Sequence, residues 1–180
     1  MIKALIIASL YWSAAGAPPA VPVATRAGSH PIAVQSAPIM EQQFIEKINA
    51  ERTRRGLGAL TPDPILMRAA TDHSREMSAL NYLDHHSPTP GMTTPMKRYL
   101  KTLTDMGADA PGALTVGENI EYCRVPNNQY TADFGHKVFM NSPEHRTNLL
   151  QPIYTKVGVS VCRNAKGEVW VTEMFLGDEK

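Results

Sequence analysis

The chain is poor in cysteine: Cys123 and Cys162 are the only two, and neither sits in a Cys-x-x-Cys pair. A four-thiolate zinc site is excluded. It also lacks an excess of either charge. Eighteen Lys+Arg stand against 17 Asp+Glu, a formal net charge of +1, so nothing electrostatic points to nucleic acid. No Gly-x-Ser-x-Gly elbow, His-Glu-x-x-His helix or phosphate-binding loop is present, which leaves no established catalytic motif in reserve. There is no internal repeat. The apolar stretch from Ala4 to Ala17 is too short to span a bilayer comfortably. Acidic residues are missing altogether before Glu41.

These last two absences divide the chain. Lys3 and the run from Ala4 to Ala17, ending Ala15-Gly16-Ala17, read as a signal peptide over residues 1–17. Pro18 directly after it leaves the cleavage position open. Residues 18–38, built mainly from Ala, Pro, Val and Ser with no acidic residue, cannot form a core and read as a disordered leader. Residues 39–180 are left as one domain, large enough to bury a core without staples. All the charged residues except Lys3 and Arg26 fall in it, so it is close to neutral. The expectation is a secreted or periplasmic monomer with no transmembrane span in the mature chain. In such a chain two cysteines, each ending a strand-like segment, are expected to form one disulfide, Cys123–Cys162.

Apolar spacing predicts a helix through Met40, Phe44, Ile45 and Ile48, stopping at Gly56. A second runs from Asp63-Pro64 to about Leu80, with Leu66, Ala69, Ala70, His73 and Met77 on its stripe. His73 is read there as a hydrogen-bonded core residue and not as a ligand. Thr94-Pro95 opens a third helix, with Tyr99, Leu100 and Leu103 inward. Val116 to Cys123 reads as extended. Asn127-Asn128 starts a fourth helix, with Tyr130, Phe134 and Val138 inward. Lys156 to Cys162 and Glu168 to Phe175 form a hairpin across Asn164-Ala165-Lys166-Gly167. Helices mainly first and strands mainly last predict an α+β fold.

Three stretches carry titratable groups in unusual settings: His85-His86, Glu118 within an extended segment, and His145. Ser142-Pro143-Glu144 is a helix start, with Ser142 as the cap and Pro143 at the first helical position. It holds His145 in the first turn, where the helix dipole favours a neutral ring. Two histidines and a carboxylate are a donor set for one Zn²⁺ with a water left over. An ordinary capped helix and a hydrogen-bonded polar cluster remain the plain alternatives.

The order and wording of these stretches resemble the bacterial branch of the CAP superfamily (cysteine-rich secretory, antigen 5 and pathogenesis-related proteins, or SCP domains). The resemblance runs from about Phe44 to Leu176. It is carried by Ile48-Asn49-Ala50-Glu51-Arg52 with Gly56-Leu57, by Leu66-Met67-Arg68-Ala69-Ala70, and by Tyr82-Leu83-Asp84-His85-His86-Ser87-Pro88. Gly117-Glu118-Asn119-Ile120, Ser142 to Leu150 and Val157-Gly158-Val159 complete it. The resemblance implies a three-layer α-β-α sandwich with a cleft lined by two histidines and acidic residues. Residue by residue, the histidines fall on His85 and His145 and the first acid on Glu118. Where many eukaryotic members carry a second cleft glutamate this chain has Ser142, and Phe139 stands where tryptophan is common. The acid set is therefore incomplete.

Three functions are open. The first is an exported binding module for a lipid, a cell-envelope component or a protein, using the cleft and a divalent metal such as Zn²⁺ held by His85 and His145. The second is a metal-assisted, peptidase-like hydrolase with Glu118, His85 and His145 as its catalytic residues. The third is a structural domain that keeps the polar cluster for folding. The incomplete acid set ranks binding ahead of hydrolysis.

Overall fold

Helix boundaries follow the capping residues. In the computed structural model, which describes residues 36–109, 112, 114–125 and 129–178, Asp63 accepts from the backbone N–H groups of Ile65 and Leu66 and opens α2 (Pro64–Leu80). Thr94 caps α3 (Pro95–Asp105) and Ser142 caps α5 (Pro143–Leu149), each with proline directly behind the cap. The first helix, α1, spans Ala37–Arg54 and gives way to Gly56 at φ 75°. The proposed signal peptide lies outside the described residues, as does the leader up to residue 35. Ala37 and Pro38, assigned to the leader by composition, belong to α1.

The fourth helix corrects its expected start and face. Residues 126–128 lie outside the described residues, and α4 is Ala132–Asn141, capped by Thr131. Its inward positions are Ala132, Gly135 and Phe139, while Phe134 and Val138 are 42% and 37% exposed. The later start rotates the stripe. Tyr130 is buried as expected, but from the segment before the helix.

The strands form one sheet in the order β1-β3-β4-β2. Central β3 (Lys156–Arg163) and β4 (Glu168–Asp178) are the expected hairpin, turning at Asn164 to Gly167 with Gly167 at φ 77°. On one side β4 pairs with β2 (Leu114–Arg124) antiparallel over its whole length. On the other, β3 takes a two-residue parallel partner, β1 (Thr61–Pro62), too short to leave a pattern in sequence.

Alternation along the strands sends two cores to opposite faces. Val157, Val159, Val161, Val169, Val171 and Phe175 meet Phe44, Ile48 and Phe139 on the α1/α4 face. Leu114, Val116, Met174 and Leu176 meet Leu66, Ala70, Tyr99 and Leu103 on the α2/α3 face. Helices on both sides of a sheet make the three-layer α-β-α sandwich. Gly158 is needed where α2 lies closest, because a Cβ there would run into the Leu66 backbone.

Two residues of the Asn-Ala-Glu-Arg stretch tie the layers together. Asn49 exchanges two hydrogen bonds with the backbone of Leu60. Arg52, 1% exposed, donates to the carbonyls of Gly58, Leu149, Gln151 and Tyr154. It thereby fixes the turn between α5 and β3.

Register overturns the disulfide. Cys123 on β2 pairs with Val169 of β4, whereas Cys162 on β3 pairs with Trp170. The cysteines are separated by a whole strand, about 9–10 Å at sheet spacing, and a disulfide spans at most about 7 Å between Cα atoms. Because Val169 and Trp170 are consecutive, the two side chains also point to opposite faces. Both thiols are free and half-buried.

Candidate functional site

The site is built around β2, an edge strand, where the two helical layers meet. Its consecutive residues Glu118 and Asn119 point to opposite faces, so each holds a different element. Glu118 turns to the α2/α3 side. Its Oε1 accepts from His85 Nδ1 at 2.8 Å and its Oε2 accepts from Arg98 Nη2 at 2.5 Å. A third group, His73 Nε2 on α2, lies 3.9 Å from Oε1.

Burial alone raises the pKa of Glu118, but the charge of Arg98 and the His85 hydrogen bond outweigh it and hold the carboxyl down at about 2. Glu118 is therefore an anion at any working pH. An anion only accepts, so His85 must carry its proton on Nδ1, and the lone pair of the neutral ring is on Nε2. This is the carboxylate–imidazole pairing that orients a ligand histidine. Neighbouring His86 is turned outward, its side chain 66% exposed.

The loop bearing His85 is held at several points. Arg98 Nη1 donates to His85 O at 3.0 Å and to Met92 O at 3.1 Å. His73 Nε2 donates to Asp84 O at 3.1 Å. Glu76 collects hydroxyls from Tyr82 (2.6 Å), Ser87 (2.8 Å) and Thr89. Burial acts against ionisation of Glu76, and these three donors overcome it and lower its pKa. His73 is the hydrogen-bonded core residue expected of it, 1% exposed, with its pKa lowered chiefly by burial.

On the other face Asn119 reaches α5. Its Nδ2 donates to His145 O at 3.2 Å, and its Oδ1 accepts from Asn148 Nδ2 at 2.9 Å. Asn148 also donates to Glu118 O and accepts from Tyr154 Oη. Gly117 is required beneath this group, since a Cβ would lie 2.7 Å from Asn148 Oδ1. The His145 ring packs edge-on to Phe139, centroids 5.2 Å apart. Its Nδ1 is buried with no hydrogen-bond partner. Burial, then the charge of His85, lowers its pKa, with Glu144 opposing. The helix start sets the position of the ring; its surroundings keep it neutral.

The fold thus brings His85, Glu118 and His145 to one region, the two histidines near enough for one to act on the titration of the other. Sequence reading missed Arg98 and Glu76. The trace of Arg98 was its place beside Tyr99, Thr102 and Leu103 on the inward side of α3, where a charge demands a buried partner. The same side of α2 gave no such trace for Glu76. As for a metal, His85 and His145 are two donors of suitable chemistry. Among the described residues no group of three or more His, Cys, Asp or Glu is arranged to hold an ion.

Comparison with known proteins agrees with this architecture. The family model of the cysteine-rich secretory protein family (CAP) matches residues 45–175. The protein YkwD of Bacillus subtilis is 34% identical over 145 residues, 81% of this chain and 50% of its own length. The chain therefore spans about half of that curated relative. An extracellular SCP-domain protein of Bacillus anthracis superposes with a TM-score of 0.62 at 27% identity, over 79% of this chain and 41% of the other. An outer surface protein of Borrelia burgdorferi does so at 0.60 and 17% identity, over 77% and 92%, a likeness of fold alone. No helix among the described residues is long and apolar enough to cross a membrane. The match over residues 45–175, with the 34% identity to YkwD, places the chain in the bacterial branch of the CAP family.

Proposed function

We propose that this domain is a binding module of an exported protein, taking a lipid, a cell-envelope component or a protein through the cleft. His85 and His145 are its donor residues. The observation that carries this reading is the state of Glu118. Both its oxygens are engaged, its side chain is 1% exposed, and its pKa is held at about 2. A general base needs a pKa near the operating pH and reach to the proton it takes. Glu118 offers neither, which weighs against it as the base of a metal-assisted hydrolase. What Glu118 does instead is fix the His85 ring.

A divalent ion such as Zn²⁺, if bound, would be held in part by the imidazoles of His85 and His145 and would supply Lewis acidity toward a ligand oxygen. His145 Nδ1, buried without a partner, is the kind of group that a ligand or water satisfies. The test is calorimetric titration with Zn²⁺ at neutral and mildly acidic pH. Binding is expected at neutral pH and weakens in acid as protons compete for the rings. His85→Ala and His145→Ala each abolish it, and His73→Ala, if folded, does not. The absence of heat from the wild-type chain would remove the metal from this reading.

A further inference from the structure

Behind the cleft, on the face covered by α1, α4 and α5, two carboxyls are buried side by side. Glu173 faces Asn119 across the β2–β4 ladder and Glu121 faces Val171, so the two glutamates are diagonal neighbours on adjacent strands. Glu173 is fully buried and Glu121 6% exposed. Tyr130 Oη donates to Glu121 Oε2 at 3.0 Å, and Asn119 Nδ2 donates to Glu173 Oε2 at 3.0 Å. The other oxygen of each, Oε1, is buried with no hydrogen-bond partner.

Among the described residues no cation forms an ion pair with either carboxyl; on β3, Arg163 Nη2 donates to Tyr130 O at 3.4 Å. Cys123 and Tyr130 are the near titratable groups, both acids in their own right. On α1, Arg52 is spent on four carbonyls and Glu41 accepts from Val161 N. His136 of α4 answers to Glu51, Lys47 and Asp133 instead, and Tyr154 Oη donates to Asn148. His145 of α5 touches the group only through Asn119. A buried anion with one bare oxygen costs far more than a neutral carboxylic acid in the same place. Since each Oε2 already accepts, each proton belongs on Oε1. Burial pushes Glu121 up to about 7; burial, against the Asn119 amide and with the charge of Glu121, pushes Glu173 up to about 8.

Asn119 makes this pair part of the cleft, because one amide nitrogen serves both Glu173 Oε2 and His145 O. We propose that Glu121 and Glu173 are a proton-loaded brace behind the cleft, and that loss of a proton from the pair shifts His145 through Asn119. While the pair is neutral, the amide is shared between two ordinary carbonyl-type acceptors. When Glu173 gives its proton to solvent, Oε2 becomes an anionic acceptor, roughly twice as strong. Each amide hydrogen serves one acceptor, so the side chain moves as a unit toward Oε2, its bond to His145 O lengthens, and the first turn of α5 shifts. This inference rests on the cleft reading above and adds control of it by pH.

The test is metal-free, so its outcome is separate from that of the Zn²⁺ titration. Ring signals of His145 are followed by NMR in the full chain with labelled histidine, from neutral to mildly alkaline pH. Burial lowers the ring's own titration from that of an ordinary imidazole, away from this range. A step in the His145 shift between about pH 7 and 8 is expected in the wild type. It should vanish in Glu173→Gln, which keeps the neutral shape. A flat His145 signal in folded wild-type protein, or an unchanged step in Glu173→Gln, overturns the proposal. Should Glu173→Gln not fold, Glu121→Gln decides: removing its charge moves the step to lower pH, and an unmoved step overturns the proposal.

Discussion

Arg98 Nη2 lies 2.5 Å from Glu118 Oε2, and both side chains are 1% exposed. A pair this buried contributes little net stability against an apolar replacement, but breaking it leaves a charge stranded. Arg98→Met should therefore cost about 3–5 kcal/mol, read as a lower urea midpoint. It also strips His85 O and Met92 O of their donor, so Zn²⁺ binding should weaken in whatever remains folded. Adding Glu118→Gln to Arg98→Met should recover part of the loss, because the stranded anion is gone. Additive losses in the double variant would refute the account.

Gly158 faces the backbone of Leu66 and Met67 at the closest approach of α2 to the sheet. Gly158→Ala must push the helix away and is expected to cost at least about 1–3 kcal/mol, the range for overpacking. Gly58, with nothing within 4 Å and no positive φ, is the control. Gly58→Ala should stay within about 0.5 kcal/mol of wild type.

Thiol titration of unreduced, denatured protein should find two thiols. A reducing agent should leave the thermal midpoint unchanged, since there is no bridge to open. Under native conditions Cys123 should react slowly, its pKa raised by burial and by Glu121 to about 11. A single, reduction-sensitive species without free thiols would contradict the register of β2, β4 and β3.

Stability should fall on the alkaline side earlier than for an ordinary domain. Glu121 and Glu173 titrate near 7 and 8 in the fold and at 4.5 when unfolded. Between those values the native state binds more protons, so their contribution is full below 4.5 and is lost as pH rises through 7 to 8. The lowered values of His73, His136 and His145 act oppositely, taking stability away as pH falls below 6.5. Glu118 does the same only as pH falls from 4.5 toward about 2. Thermal midpoints measured against pH should peak near pH 6–7, and Glu173→Gln should flatten the alkaline limb. A wild-type midpoint that rises from pH 7 to 9 would refute the assignment.

Much of this was legible in the chain itself, where the information is local. Caps followed by proline announced α2, α3 and α5, because a helix start is decided by one side chain and one backbone turn. Alternation and the Asn-Ala-Lys-Gly turn announced the β3–β4 hairpin for the same reason. The wording around His85, Glu118 and His145 was enough for the family. What only the tertiary structure decided is pairing. The two cysteines read as partners until the register placed β4 between them. Arg98 and Glu76 have no motif of their own, and each acquires its role from a partner 20 or 11 residues away. Glu121 and Glu173 are unremarkable letters in strand segments. They become an acid pair because two strands far apart in the chain lie side by side, and a pKa depends on what surrounds a group in space rather than along the chain.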